Sequence, residues 1–181
     1  RVEAIGGISI PSVQAVSVEE DGCWSITRDY IEGKTLTELM KENPDKRDEY
    51  LNQMVELQLM IHSKTCPLLN KLKDKMARQI SEMEELDPVN RYDLLTRLDS
   101  TPKHSKLCHG DFQPDNIIVK EDGTMYVVDW VHATQGNASA DVARTYLLFC
   151  LSDQAAADKY MDLFCEKTGT AKRYVQQWLP L

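Results

Sequence analysis

The chain has 181 residues, with 21 Lys and Arg against 29 Asp and Glu, for a formal net charge of −8. That balance argues against nucleic acid, whose binding rests on cationic contacts to phosphate, and is compatible with a cationic ligand. The length suffices for one domain with a real core, and no run of residues approaches a membrane span.

The start, Arg1-Val2-Glu3-Ala4-Ile5-Gly6-Gly7, is too short and too polar for a signal peptide. Residues 11–30 read as two strands joined at Glu19-Glu20-Asp21-Gly22. Val13, Ala15, Val16 and Val18 precede the turn, and Cys23, Trp24, Ile26 and Tyr30 follow it. Gly33 breaks the second strand, and Thr35 with Glu38 forms a capping box that starts a helix. Asn43-Pro44 opens a second helix over residues 45–62, with Tyr50, Met54, Leu57 and Ile61 as its apolar stripe. His62 ends it with no partner at metal-ligand spacing, which favours a structural role. A third helix is expected over 67–85, with Leu68, Leu69, Leu72, Met76 and Ile80 on one side. Asp87-Pro88 restarts the chain into a short helix over 89–98, with Tyr92, Leu95 and Leu98 inward. Residues 99–104 are a loop.

The next stretch organises the chain. Leu107-Cys108-His109-Gly110-Asp111 leads into a polar loop ending at Asn116, then the apolar Ile117-Ile118-Val119. A turn at Glu121-Asp122-Gly123-Thr124 leads to Met125-Tyr126-Val127-Val128-Asp129-Trp130. If the last two strands pair around Asp122-Gly123, Asn116 and Asp129 meet at one end of the hairpin, near Asp111. Three oxygen-bearing side chains then share a rim. A carboxylate there can orient or deprotonate an attacking hydroxyl, and an amide with a second carboxylate offers hard oxygen ligands for Mg²⁺. Taken singly, each Asp reads as a turn former and Asn116 as a cap; the spacing of the set favours chemistry.

Residues 132–137 read as a loop. Asn137 or Ser139 caps a helix carrying Asp141 and the apolar Val142, Tyr146, Leu147, Phe149 and Cys150. Another helix is expected over 153–167, with Tyr160, Leu163 and Phe164 inward and Gly169 at its end. A last one runs from Thr170 through Val175 and Trp178. The five cysteines are odd in number and show no CxxC spacing. Free thiols in a reducing cytoplasm are therefore the default, and a zinc site or disulfide framework is not expected. Cys108 reads as a small buried residue.

The segment from His109 to Trp130 resembles the aminoglycoside phosphotransferase family, which shares the protein-kinase-like fold. The resemblance implies an α+β chain: a mainly helical C-lobe with a catalytic β-hairpin, plus a remnant of the small β-lobe. Residues 1–33 would be that remnant and the hinge, and 34–181 the C-lobe. It implies Asp111 as the catalytic residue, Asn116 and Asp129 as Mg²⁺ ligands, and His109 and Asp141 as supports of the loop. The backbone of Asp29, Tyr30 and Ile31 would meet the nucleotide base; a plain strand–helix connection is the equal alternative there. Gln113 stands where the family often has His, and Asn137-Ala138 where it often has Asp-Pro. No glycine-rich loop and no strand Lys paired with a helix Glu is found in the 181 residues. The chain therefore reads as a piece of such an enzyme.

The expected function is a small-molecule kinase moving the γ-phosphoryl group of ATP or GTP to an alcohol or amino-sugar hydroxyl. The alternative is a catalytically incomplete kinase-like fragment serving as a binding or scaffold module. Metal-assisted hydrolysis is a weaker third reading, since no activated nucleophile is evident. Open strand edges at 13–30 suggest a homodimer.

Overall fold

A computed structural model describes residues 1–181. The first strands, β1 (Val13–Val18) and β2 (Trp24–Arg28), form an antiparallel hairpin with Val18 opposite Trp24. It is closed by the Glu19 N–H on the Cys23 carbonyl at 2.8 Å. The hairpin stands clear of the body, and Trp24 is 75% exposed. The chain then enters β3 (Lys34–Thr35) and α1 (Leu36–Glu42). The expected capping box holds: Thr35 Oγ1 accepts the Glu38 N–H at 3.2 Å, and Glu38 Oε2 accepts the Thr35 N–H at 2.7 Å.

Next come α2 (Arg47–His62), α3 (Leu72–Glu82) and α4 (Pro88–Ser100). Two short strands, β4 (Lys106–Cys108) and β5 (Ile117–Val119), flank the polar loop, and β6 (Met125–Val127) follows. The chain ends with β7 (Thr134–Gly136), α5 (Ala138–Cys150), α6 (Gln154–Thr168) and α7 (Lys172–Gln176). The core lies where α2, α5 and α6 pack. Met54, Val55, Ile61, Val142, Tyr160 and Met161 are fully buried there. Arg47 and Asp153 form an ion pair at the starts of α2 and α6. The strand order β3-β5-β6 carries the polar loop, and β4 pairs with β7 in a second small sheet.

Four expectations need correction. Residues 134–136 form β7, because the Leu107 and Gln135 backbones pair across β4. The third helix starts at Leu72, because the carbonyls of Pro67 and Leu69 accept the Gln135 side chain and that of Asn70 accepts its N–H. Those carbonyls are thereby withdrawn from a helix ladder. Leu68 and Tyr92 point to solvent. Helix α2 also buries Leu51, Val55 and Gln58 beside the expected stripe, because α6, β4 and α1 cover more than one of its sides.

Candidate active site

The polar loop begins from a buried floor. Leu107, Cys108, His109 and Phe112 are all sealed from solvent. Between them Gly110 takes φ +81°, and a Cβ there would sit 2.5 Å from the His132 carbonyl oxygen. Only glycine meets both conditions without strain. His109 Nδ1 accepts the Asp111 N–H at 3.2 Å, so Nε2 carries the proton and donates to the Val128 carbonyl at 3.0 Å. Burial holds the His109 pKa below the ordinary histidine value, which keeps this neutral form in place. The ring also lies 4.5 Å from that of Trp130.

The loop holds Asp111 half-buried. Asn116 Nδ2 donates to the Asp111 backbone oxygen at 2.8 Å and to its Oδ2 at 3.0 Å. Gln113 Nε2 adds a bond to the same Oδ2 at 3.2 Å. The other oxygen, Oδ1, lies 4.0 Å from Arg144 Nη2.

Asp141, in the first turn of α5, is buried beneath this loop. Its Oδ1 accepts the Gly110 N–H at 2.7 Å. Its Oδ2 takes the His109 N–H at 3.3 Å, His62 Nε2 at 2.9 Å and Gln58 Nε2 at 3.3 Å. Burial opposes the charge. The His62 contact and the Gly110 N–H outweigh it and hold the carboxyl below the ordinary carboxylate value. Asn137 caps the helix through the Ser139 N–H at 2.9 Å, which fixes Asp141 one turn later.

The β5–β6 hairpin brings the remaining pair together. Ile117 faces Val127, and the Val128 N–H reaches the Asn116 carbonyl at 3.0 Å. Asn116 and Asp129 thus share one end of the hairpin. Asp129 has φ +59°, the one positive φ outside glycine, and its side chain makes no capping bond to the turn that follows. Such a conformation costs of order 1–3 kcal/mol and is tolerated where surroundings impose it. Asn116 spends its Nδ2 on Asp111, so its Oδ1 faces away from those acceptors.

A family model described as "Phosphotransferase enzyme family" matches residues 5–174. The chain belongs to this family. Among solved structures it is similar to a thermostable mutant of aminoglycoside phosphotransferase APH(4)-Ia, in a ternary complex with ADP and hygromycin B. Identity is 16%, the TM-score is 0.67, and the match covers 97% of this chain and 67% of that one. It is similar to choline kinase LicA from Streptococcus pneumoniae with 16% identity and a TM-score of 0.64, over 95% of this chain and 62% of that one. Among curated proteins it is 36% identical over 73 residues to probable acyl-CoA dehydrogenase IBR3 of Arabidopsis thaliana. That stretch is 39% of this chain, and the chain spans 9% of the length of that relative. The solved structures, at these identities, establish the fold: α+β and protein-kinase-like.

The segment expected to serve as a hinge joins β2 to β3. The Asp29 N–H is tied to the Ser12 carbonyl at 2.9 Å, whereas the backbone groups of Tyr30 and Ile31 make no bond within the chain. Gly33 passes so close to β5 that a Cβ would lie 2.5 Å from the Val119 oxygen. This segment therefore lies within one strand of Asn116.

His62 has the structural role expected of it, but its partner and several other residues of the site escaped the sequence. His62 and Gln58 both end on Asp141, and Gln58 in turn accepts the Tyr160 hydroxyl. Thr145 Oγ1 donates to the Phe112 carbonyl at 2.8 Å. Lys75 and Arg144 come from distant helices to the edge of the loop. Their one readable signal is position: Arg144 follows Asp141 by three, so both occupy one side of α5. His62, Cys108 and Asp141 bring ligand-type atoms within 4.8 Å of one another. Burial, with Asp141 adding to it, keeps the Cys108 thiol protonated, and Asp141 is already engaged by four donors. His62 and Asp141 form a hydrogen-bonded brace, and the Cys108 thiol turns to the Asn137 carbonyl at 3.6 Å, so the trio is not read as a metal centre.

Proposed function

We propose that the chain works in transferring the γ-phosphoryl group of ATP or GTP to a hydroxyl of a small molecule. Residues 1–33 are the remnant of the β-lobe with the hinge, and residues 34–181 are the C-lobe that carries the chemistry. The observation that carries the reading is the convergence of Asp111, Asn116 and Asp129 on a loop pinned by Asp141. The related structure holding ADP and hygromycin B supports nucleotide and small-molecule binding for the fold.

In this reading Asp111 positions the acceptor hydroxyl and takes its proton. Its Oδ2 is held by Asn116 and Gln113, which leaves Oδ1 free to face the acceptor. The donor chemistry of Asn116 Oδ1 and the Asp129 carboxylate fits Mg²⁺, a hard cation preferring oxygen. Bound there, Mg²⁺ would neutralise charge on the nucleotide phosphates. The unpaired backbone of Tyr30 and Ile31 would meet the base, with Asp29 reduced to its carbonyl. His109 and Asp141 act by positioning, since most of the rate in such chemistry comes from alignment and fixed charge.

The five free cysteines suit a reducing cytoplasm. The exposed edges of the β1–β2 hairpin suit pairing with a second copy. The test is a nucleotide titration with and without Mg²⁺. Metal-dependent binding is expected. Its absence would leave a binding or scaffold module in place of a kinase.

A further inference from the structure

We propose that the acceptor alcohol carries an anionic group, a carboxylate or a phosphate ester, held in the cavity beside Gly110. This rests on the kinase reading and narrows its substrate class.

The cavity has a volume of about 190 Å³ and is walled by Lys75, Gln79, Gly110, His132, Arg144 and Trp178 among others. It lies against the loop that presents Asp111. Arg144 reaches 4.0 Å from Asp111 Oδ1, and the His132 backbone packs on Gly110. Lys75 extends from α3 to the His132 carbonyl at 3.3 Å and to its ring Nδ1 at 3.4 Å. A hydroxyl beside Asp111 therefore places its neighbouring groups among these cations.

The polar groups of the wall are mismatched in a telling way. Lys75 and Arg144 supply donors only, and Gln79 adds an amide that can donate as well as accept. The only carboxylate in the wall is Asp141, whose two oxygens already take four donors. A molecule that satisfies this wall must bring acceptors and negative charge. A cationic amine would meet like charge from Lys75 and Arg144, and the Asp111 Oδ1 that could answer it is already faced by Arg144 at 4.0 Å.

Electrostatics within the site agree. The Lys75 pKa is held below the ordinary lysine value by partial burial, with Arg144 and Arg78 adding repulsion. An anion placed among these cations relieves that repulsion. The protein as a whole carries a formal charge of −8, so this local concentration of positive charge runs against the average. On the other side of Leu72 and Trp178 lies a cleft of about 480 Å³ lined by Lys71, Lys73, Lys103, Asp74 and Asp99 among others.

The same cations are also within reach of a role at the nucleotide γ-phosphate, and the experiment separates the two. Ligand-observed NMR on the full chain, free of metal and nucleotide, compares γ-hydroxybutanoate and glycerol phosphate with choline and kanamycin. The two anions are expected to bind and the two cations not to. The double variant Lys75→Glu/Arg144→Glu should weaken anion binding about tenfold or more, with its melting temperature and its nucleotide affinity unchanged. The control Arg97→Glu, on the outer side of α4, should bind as the parent does.

Three results overturn the proposal: choline or kanamycin binding the parent chain as well as the anions do, no binding of either anion, or anion binding that survives the charge reversal. Loss of nucleotide affinity in the double variant would move the cations to the γ-phosphate and would also overturn it. Phosphoryl transfer is read separately with MgATP. Anion binding without transfer to any acceptor sinks the kinase reading and spares the cavity. Transfer to a cationic acceptor does the reverse.

Discussion

His109 donates from Nε2 to the Val128 carbonyl across 3.0 Å, and this bond joins the Asp111 loop to the strand ending in Asp129. The bond needs the neutral ring, with Nδ1 free to accept the Asp111 N–H. Burial lowers the folded-state pKa of His109 below 6.5. The unfolded chain therefore binds this proton first as pH falls. The contribution of His109 to stability is complete above its unfolded value and declines as pH drops through it toward the folded value. Urea denaturation across that window should show stability falling with acid. The fall should be shallower in His109→Gln, which cannot titrate. An equal slope in both proteins would remove His109 from the account.

Asp141 satisfies two backbone N–H groups and two side chains from inside the core. Asp141→Ala should cost about 3–5 kcal/mol, because it strands buried donors. Asp141→Asn should cost about 1–3 kcal/mol, since one oxygen still accepts. Chemical denaturation reads both. A loss below about 1 kcal/mol in the alanine variant would mean that water or a shifted side chain replaces the carboxylate.

Asp111→Asn should lower turnover roughly a hundredfold or more while leaving the melting temperature almost unchanged. Near-parental turnover in this variant would end its assignment as the catalytic residue.

Asp129 tests function against conformation at one position. Glycine adopts its positive φ without strain, so Asp129→Gly should stabilise the fold by about 1 kcal/mol. The same change should abolish Mg²⁺-dependent nucleotide binding. A variant that is more stable and still binds the nucleotide with metal would leave Asp129 with a structural role alone.

The β1–β2 hairpin exposes Trp24, Ile26, Val16 and Val18 beside unpaired strand edges. Light scattering should find the 181-residue chain self-associating. Trp24→Lys with Ile26→Lys should return it to monomer, because charge on an edge opposes strand pairing. A monodisperse parent would contradict the expectation.

Much of this architecture was readable because it rests on local chemistry. The Thr35–Glu38 box, the Asp87-Pro88 start, and the alternation of Ile117–Val119 with Met125–Val127 are each written in a few adjacent residues. The meeting of Asn116 with Asp129 followed from the hairpin alone. The failures lie where distant segments decide. Thr134–Gly136 has no strand pattern of its own and becomes β7 through Lys106–Cys108. Leu68 and Leu69 look like helix, yet their segment is drawn off by Gln135. Lys75 and Arg144 look like ordinary solvent-facing charges on helices, and only the folded chain brings them to one cavity.

The supports of Asp111 and one side of the wall beside it come from different parts of the chain, although Arg144 of that wall shares α5 with Asp141. His62, Gln58 and Asp141 belong to α2 and α5 in the core, whereas Lys75 and Gln79 belong to α3. Helix α3 packs mainly on α4 and β7. Substitutions in α3 therefore leave the Asp141 bonds intact. On the proposed function, such a division would let substitutions in α3 reshape one side of the acceptor cavity while the bonds that hold Asp111 stay in register.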